Sequence, residues 1–203
     1  MTAGIAGNPP ASSGPPWAAS PRPATPIDDP AMNDERYTLT LIRHAKSSWK
    51  QPLPDIERPL NHRGRRNAIE LGQWLKDRHV RFDRIVSSPA RRTLDTAASI
   101  AAQMGLPETI VESDGDVYLA SAAALLALIH RFDDAEHHVA LVGHNPGISD
   151  LAARLLPFHL DDELRTCACL QLAFEHPSWR QIVPGSGQPV FFHDPKGRHI
   201  GKD

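Results

Sequence analysis

No apolar run in the chain approaches the roughly 20 residues that cross a bilayer, and no polybasic block marks a membrane or nucleic-acid surface. Its 22 Lys and Arg stand against 24 Asp and Glu, a formal charge of −2 over 203 residues. Neither nucleic acid nor membrane is therefore an expected partner. Cysteine is nearly absent. Cys167 and Cys169 stand two apart, and on a strand they share a face, which suits reduced core thiols and not a disulfide. A cytoplasmic protein fits that usage. Familiar phosphate devices are missing too. There is no GxxxxGK[ST] loop, and neither cysteine is followed by an arginine at a phosphate-cradle spacing. HExxH is missing, and His137-His138 on a strand point to opposite faces, a poor metal pair. Nothing in the sequence requires a metal or an organic cofactor.

Residues 1–34 form a leader of Pro, Ala, Ser and Gly with little to bury, expected to be disordered. It lacks the charged and apolar regions of a secretory signal. Met32 stands directly before the first folded-looking segment, so a start at Met32 is the alternative to one at Met1. Residues 35–195 are expected to form a single domain, with 196–203 as a tail. A hydrophobic content of 40% supports one good core.

What the chain does have is regular alternation. YTLTLIR (37–43) reads as a strand, and 61–78 as a helix with Ala68, Leu71 and Leu75 on one face. DRIVSS (83–88) is a second strand. Ser88-Pro89 then predicts an N-cap with proline at the first helical position, and Gly105 ends that helix. TIVE (109–112) is a short strand. Ser121 caps a helix over 121–132, 137–143 is a strand, and Asn145-Pro146 opens a helix to about Leu156. CACLQLAF (167–174) and PVFF (189–192) follow without a helix between them, as an antiparallel edge. This βα order predicts an α/β fold, a three-layer α/β/α sandwich with a mostly parallel central sheet.

In such sheets ligands sit beyond the carboxyl ends of the strands. The first strand ends in Arg43-His44. The second leads to Arg91 and Arg92 in a first helical turn, where cations oppose the helix dipole. The strand 137–143 leads to His144 before a helix N-terminus. Each feature alone is ordinary surface or capping. Together they deliver two histidines and at least two arginines to one rim. Arginine forks bind tetrahedral oxyanions, and imidazole serves as nucleophile or acid/base near neutral pH. The set suits phosphoryl transfer.

Residues 38 to about 156 resemble the histidine phosphatase (phosphoglycerate-mutase-like) superfamily, and within it the small SixA-type phosphohistidine phosphatases. The motifs that carry the likeness are LIRHAKSSW (41–49), DIERPLNHRG (55–64), SSPARRTLDTA (87–97), VYLAS (117–121) and VGHNPGISDLA (142–152). The resemblance implies that His44 is the nucleophile that becomes phosphohistidine. It implies that Arg43, Arg92 and His144 hold the phosphoryl oxygens, with Arg91 a flanking residue. Ser47 and Arg58 join the expected substrate-binding set. Arg58, Asn61 and Arg63 either bind groups flanking the phosphate or serve locally, Asn61 as a helix cap and Arg58 in an ion pair. Lys50 is expected to be solvated, with substrate contact the alternative, and Trp49 to pack beneath its loop, with stacking on a substrate the alternative. Ala45 stands where the superfamily usually has glycine, which makes the turn less permissive. Candidate leaving-group acids are Glu112, Asp114 and Asp116. The short connections leave the pocket open, which favours a phosphorylated protein as partner, such as a histidine-containing phosphotransfer protein. The alternatives are a small phosphorylated metabolite and a phosphate-binding module without turnover.

Overall fold

A computed structural model describes residues 36–160 and 162–197. The leader 1–34 and the end of the expected tail, 198–203, lie outside the described residues. At the centre of the sheet runs β1, Tyr37–Arg43, in which every residue but the last is buried. Leu39 and Leu41 enter the apolar cluster on one face, and Ile42 enters the cluster on the other. That is the signature of a strand covered on both sides. The polar Thr40 is tolerated there because Gln171 donates to its hydroxyl at 3.0 Å.

Chain order continues as α1 (His62–Asp77), β2 (Arg84–Ser87), α2 (Arg91–Met104), β3 (Val111–Ser113), α3 (Ala122–Ile129), β4 (His138–Gly143), α4 (Gly147–Leu155), β5 (Cys169–Phe174) and β6 (Gln188–His193). The sheet order is β3-β2-β4-β1-β5-β6. The first four of these strands are mutually parallel, and β5 and β6 run antiparallel at the edge. α1 and α2 bury Ala68, Leu71, Leu75, Ala97 and Ile100 against one face. α3 and α4 bury Leu125, Ile129, Ile148, Leu151 and Leu155 against the other. The α/β/α sandwich with an antiparallel edge is thus the fold.

Caps account for several boundaries. Asn61 accepts from Gly64 N at 2.8 Å, Ser121 accepts from Ala124 N, and Gly105 closes α2 with φ 75°. Two expectations need correction. α2 begins at Arg91 with Ala90 in the cap position, so Ser88 and Pro89 lie before it. The Ser88 hydroxyl still accepts from Ala90 N at 3.3 Å, ahead of the helix, and also from His144 Nε2 at 2.8 Å. α3 ends at Ile129, short of the expected 132.

Register is what builds the rim. Arg43 pairs with Gly143, and Ser87 with Val142. β4 and β1 therefore end at one level and β2 one residue earlier, and their next residues, His144, His44 and Ser88, meet at that rim.

Candidate active site

His44 follows β1, and its N–H is tied to Gly143 O at 3.0 Å. Its Nδ1 lies 2.8 Å from Ala45 O. A carbonyl only accepts, so Nδ1 carries the proton and Nε2 keeps the lone pair. Burial lowers its pKa to about 4. The Ala45 bond opposes this, and the charges of Arg92, Arg43 and Arg58 reinforce it. The imidazole is therefore neutral, with a free nitrogen, at neutral pH. Ala45 is fully buried and does not adopt a left-handed conformation, so the methyl group fits this turn. Its N–H donates to Thr96 Oγ1 at 3.0 Å, and that hydroxyl donates to Arg92 O at 2.6 Å. Thr96 thus couples the His44 turn to α2.

His144 lies with its ring centroid 5.2 Å from that of His44. Its Nδ1 is 3.2 Å from Arg92 Nη2, which can only donate, so Nδ1 accepts. Nε2–H then donates to Ser88 Oγ at 2.8 Å. Burial lowers its pKa to about 3, with His44 and Arg92 adding to the effect and Asp55 opposing it.

The arginines are fixed from different directions. Arg43 Nη1 donates to Leu164 O at 2.7 Å, a carbonyl in the connection between α4 and β5, and its buried Nε has no protein partner. Burial lowers the Arg43 pKa, and Glu163 opposes that. Arg92 is buried, while Arg91 is exposed beside Asp95. The structure therefore brings Arg92 to the site and leaves Arg91 outside.

Asp55, which sequence reasoning passed over, is the hub. Its Oδ2 accepts from Arg92 Nη2 at 2.8 Å and from Tyr118 Oη at 2.9 Å, and its Oδ1 accepts from Arg58 Nη2 at 2.7 Å. Its backbone carbonyl also accepts from Arg92 Nη1. Burial pushes its pKa up, but the bonds from Arg92, Tyr118 and Arg58 outweigh this and hold it at about 2. The DIER run carried a signal, an acid three before an arginine. Nothing local tied it to Arg92.

Ser47 accepts from Arg58 Nη1 at 3.3 Å, so these two of the expected substrate-binding residues are bonded to each other and, through Arg58, to Asp55. Asn61 is the helix cap, and Arg63 and Lys50 are exposed. Trp49 is not packed beneath its loop. It is exposed, with the Arg58 guanidinium 3.6 Å from its ring centroid. Glu112 pairs with Arg84, Asp116 with Arg131, and Asp114 accepts from Asp116 N. None of these three is bonded to Arg43, His44, Arg92 or His144. Among the described residues no three His, Cys, Asp or Glu side chains group as a metal site. No helix among them is long and apolar enough to cross a membrane.

Two neutral imidazoles, one with a free nitrogen, flanked by two guanidinium groups can hold and attack a tetrahedral dianion. Comparison with known proteins gives the family and the fold. A sequence profile described as "Histidine phosphatase superfamily (branch 1)" matches residues 39–115. An uncharacterized chloroplastic protein of Arabidopsis thaliana is 32% identical over 159 residues, covering 73% of this chain and 72% of its own. A Nakamurella multipartitia protein described as "Putative Phosphohistidine Phosphatase SixA" superposes with a TM-score of 0.67 at 23% identity, covering 79% of this chain and 96% of that one. SixA of Agrobacterium tumefaciens gives 0.64 at 25% identity, covering 78% and 99%.

Proposed function

The chain belongs to the histidine phosphatase superfamily and is a phosphatase, and on that premise we propose that its substrate is phosphohistidine in a protein and that His44 is the nucleophile. His44 Nε2 attacks phosphorus in line, the substrate's P–N bond breaks, and the phosphoryl group rests on His44. Water then attacks, releasing inorganic phosphate and restoring the imidazole. Arg43 and Arg92 hold the phosphoryl oxygens as permanent cations. Burial first, and the charges of His44, Arg92 and Arg43 after it, keep His144 neutral; a bound dianion offsets the cationic part, and the family resemblance gives His144 the role of contacting the phosphoryl oxygens.

The observation that carries the substrate reading is the state of Asp55. Its oxygens accept from Arg92, Tyr118 and Arg58, which hold it ionised in the free protein with a pKa of about 2, so it brings no proton to the reaction. An alkoxide leaving group needs such a proton. A phosphorylated imidazole does not, because it departs already protonated on its other nitrogen. The likeness to SixA structures supports the same substrate.

Phosphate release by wild type and His44→Ala tests this on a phosphohistidine protein, p-nitrophenyl phosphate and a panel of sugar phosphates. His44-dependent turnover chiefly of the phosphohistidine protein is expected. Preference for a sugar phosphate would overturn the substrate while keeping the nucleophile. Binding without turnover would favour a phosphate-recognising module.

A further inference from the structure

Six large apolar side chains are exposed among the described residues. Three of them stand on segments tied to Asp55: Trp49 at 77% exposure, Ile56 at 39% and Leu119 at 61%. Trp49 lies on the Arg58 guanidinium, which bonds Asp55. Ile56 follows Asp55 in the chain. Leu119 follows Tyr118, whose hydroxyl donates to Asp55. The three therefore lie on the segments that meet at the Asp55 carboxylate, whereas an isolated exposed leucine elsewhere would need no account.

Leu119 is also in an uncommon backbone state, with φ 51°. A leucine resists that conformation, so its neighbours must impose it. Tyr118 is anchored through Asp55. Ala120 is anchored because Gly147 lets its carbonyl approach so closely that a Cβ on residue 147 would lie 2.0 Å from it. Between these two anchors Leu119 is held outward. Such imposed strain accumulates at functional sites.

Cations gather on this rim beside the exposed acids Asp55 and Glu57. Gly64 admits Lys46 O so closely that a Cβ there would lie 2.1 Å from it, which seats the loop after β1 on the first turn of α1. That turn carries Arg63, Arg65 and Arg66, all exposed, and the loop adds exposed Lys46 and Lys50. α2 opens with Arg91 and Arg92. Neither helix has an acidic residue in its first turn, where the dipole favours acids. Both helices thus hold a local arrangement that an anionic partner would reward.

Resting on the phosphohistidine-protein reading, we propose that this apolar and cationic rim is the docking surface for a folded phosphoprotein, which presents its phosphorylated side chain from an acidic surface with apolar residues beside it. Leu119, Ile56 and Trp49 supply the buried contacts. Lys46, Lys50 and the first turn of α1 steer the acidic face.

The test measures KM and kcat with two probes, a chemically phosphorylated histidine-containing phosphotransfer protein and p-nitrophenyl phosphate. The variants are Leu119→Gly and Lys50→Glu, singly and combined. Glycine suits the left-handed backbone at 119, so folding is preserved. The combined variant is expected to raise KM for the phosphoprotein about tenfold or more, with kcat and p-nitrophenyl phosphate turnover within about twofold. Added salt should raise the wild-type KM for the phosphoprotein alone. Equal losses on both probes, or an unchanged phosphoprotein KM, would overturn the docking surface. A wild type that turns over p-nitrophenyl phosphate but not the phosphoprotein would instead overturn the substrate reading, and this surface with it.

Discussion

Replacing Asp55 by Asn should weaken the fold and tighten phosphate binding at once. The carboxylate is the counterion of Arg92, whose side chain is 3% exposed against 45% for Asp55. Breaking a fully buried pair costs about 3–5 kcal/mol, and the half-exposed partner reduces that to about 1–3 kcal/mol here. Orientation survives, because Arg92 Nη1 still donates to the backbone carbonyl of residue 55. Phosphate responds with the opposite sign. Two anions sharing one guanidinium stand roughly 4–6 Å apart, where an effective dielectric near 20 gives about 3–4 kcal/mol of repulsion per pair of unit charges. Solvent around Asp55 cuts this to about 1–2 kcal/mol, roughly five- to thirtyfold in Kd. Titration calorimetry with inorganic phosphate, beside denaturant unfolding without it, reads both quantities. Weaker phosphate binding by Asp55→Asn would refute this electrostatic reading and make the carboxylate a positioning group that Arg92 cannot do without.

Stability should fall with acid earlier than carboxylates alone would make it. With His44 near 4 and His144 near 3, the unfolded chain takes up protons below pH 6.5 that the folded site refuses, so stability is full above about 6.5 and falls by on the order of a few kcal/mol toward pH 4. Imidazole nitrogen shifts that show His44 charged at pH 5.5 in the free protein would contradict it. Thr96→Val should cost about 1–3 kcal/mol, because Ala45 N–H is left buried without a partner, and it should slow turnover by loosening the His44 turn. Unfolding and kcat measured together check both parts. Arg92→Ala should slow turnover about a hundredfold or more, while Arg91→Ala stays near wild type. The reverse order would move the clamp to Arg91.

Features with a local cause were legible. β1 was read with its observed bounds, because a doubly covered strand is a continuous apolar run that stops where Arg43 begins. Asn61 and Ser121 cap as their positions imply, and Gly105 ends α2. The choice between Arg91 and Arg92 was also available from helical phase. Arg92 shares its stripe with Thr96 and Ile100, which are buried, and Arg91 shares its stripe with Asp95 on the surface. The local bond of Ser88 to Ala90 N was legible, but its second bond, to His144 56 residues away, was not, and the helix proper starts only at Arg91. Asp55 escaped because its partners Arg92 and Tyr118 stand 37 and 63 residues on. The Leu164 carbonyl that orients Arg43 could not be read at all, since a backbone group leaves no residue signature.

The most direct measurement is the position of the phosphoryl group during turnover. Wild-type protein is mixed with the phosphohistidine substrate and quenched in base, which spares the acid-labile P–N bond, and its peptides are mapped by mass spectrometry. The phosphoryl group should be found on the peptide containing His44, bonded at Nε2 because Nδ1 is held by the Ala45 carbonyl, and His44→Ala should carry no label. Label on His144, or turnover by His44→Ala near the wild-type rate, would contradict His44 as nucleophile.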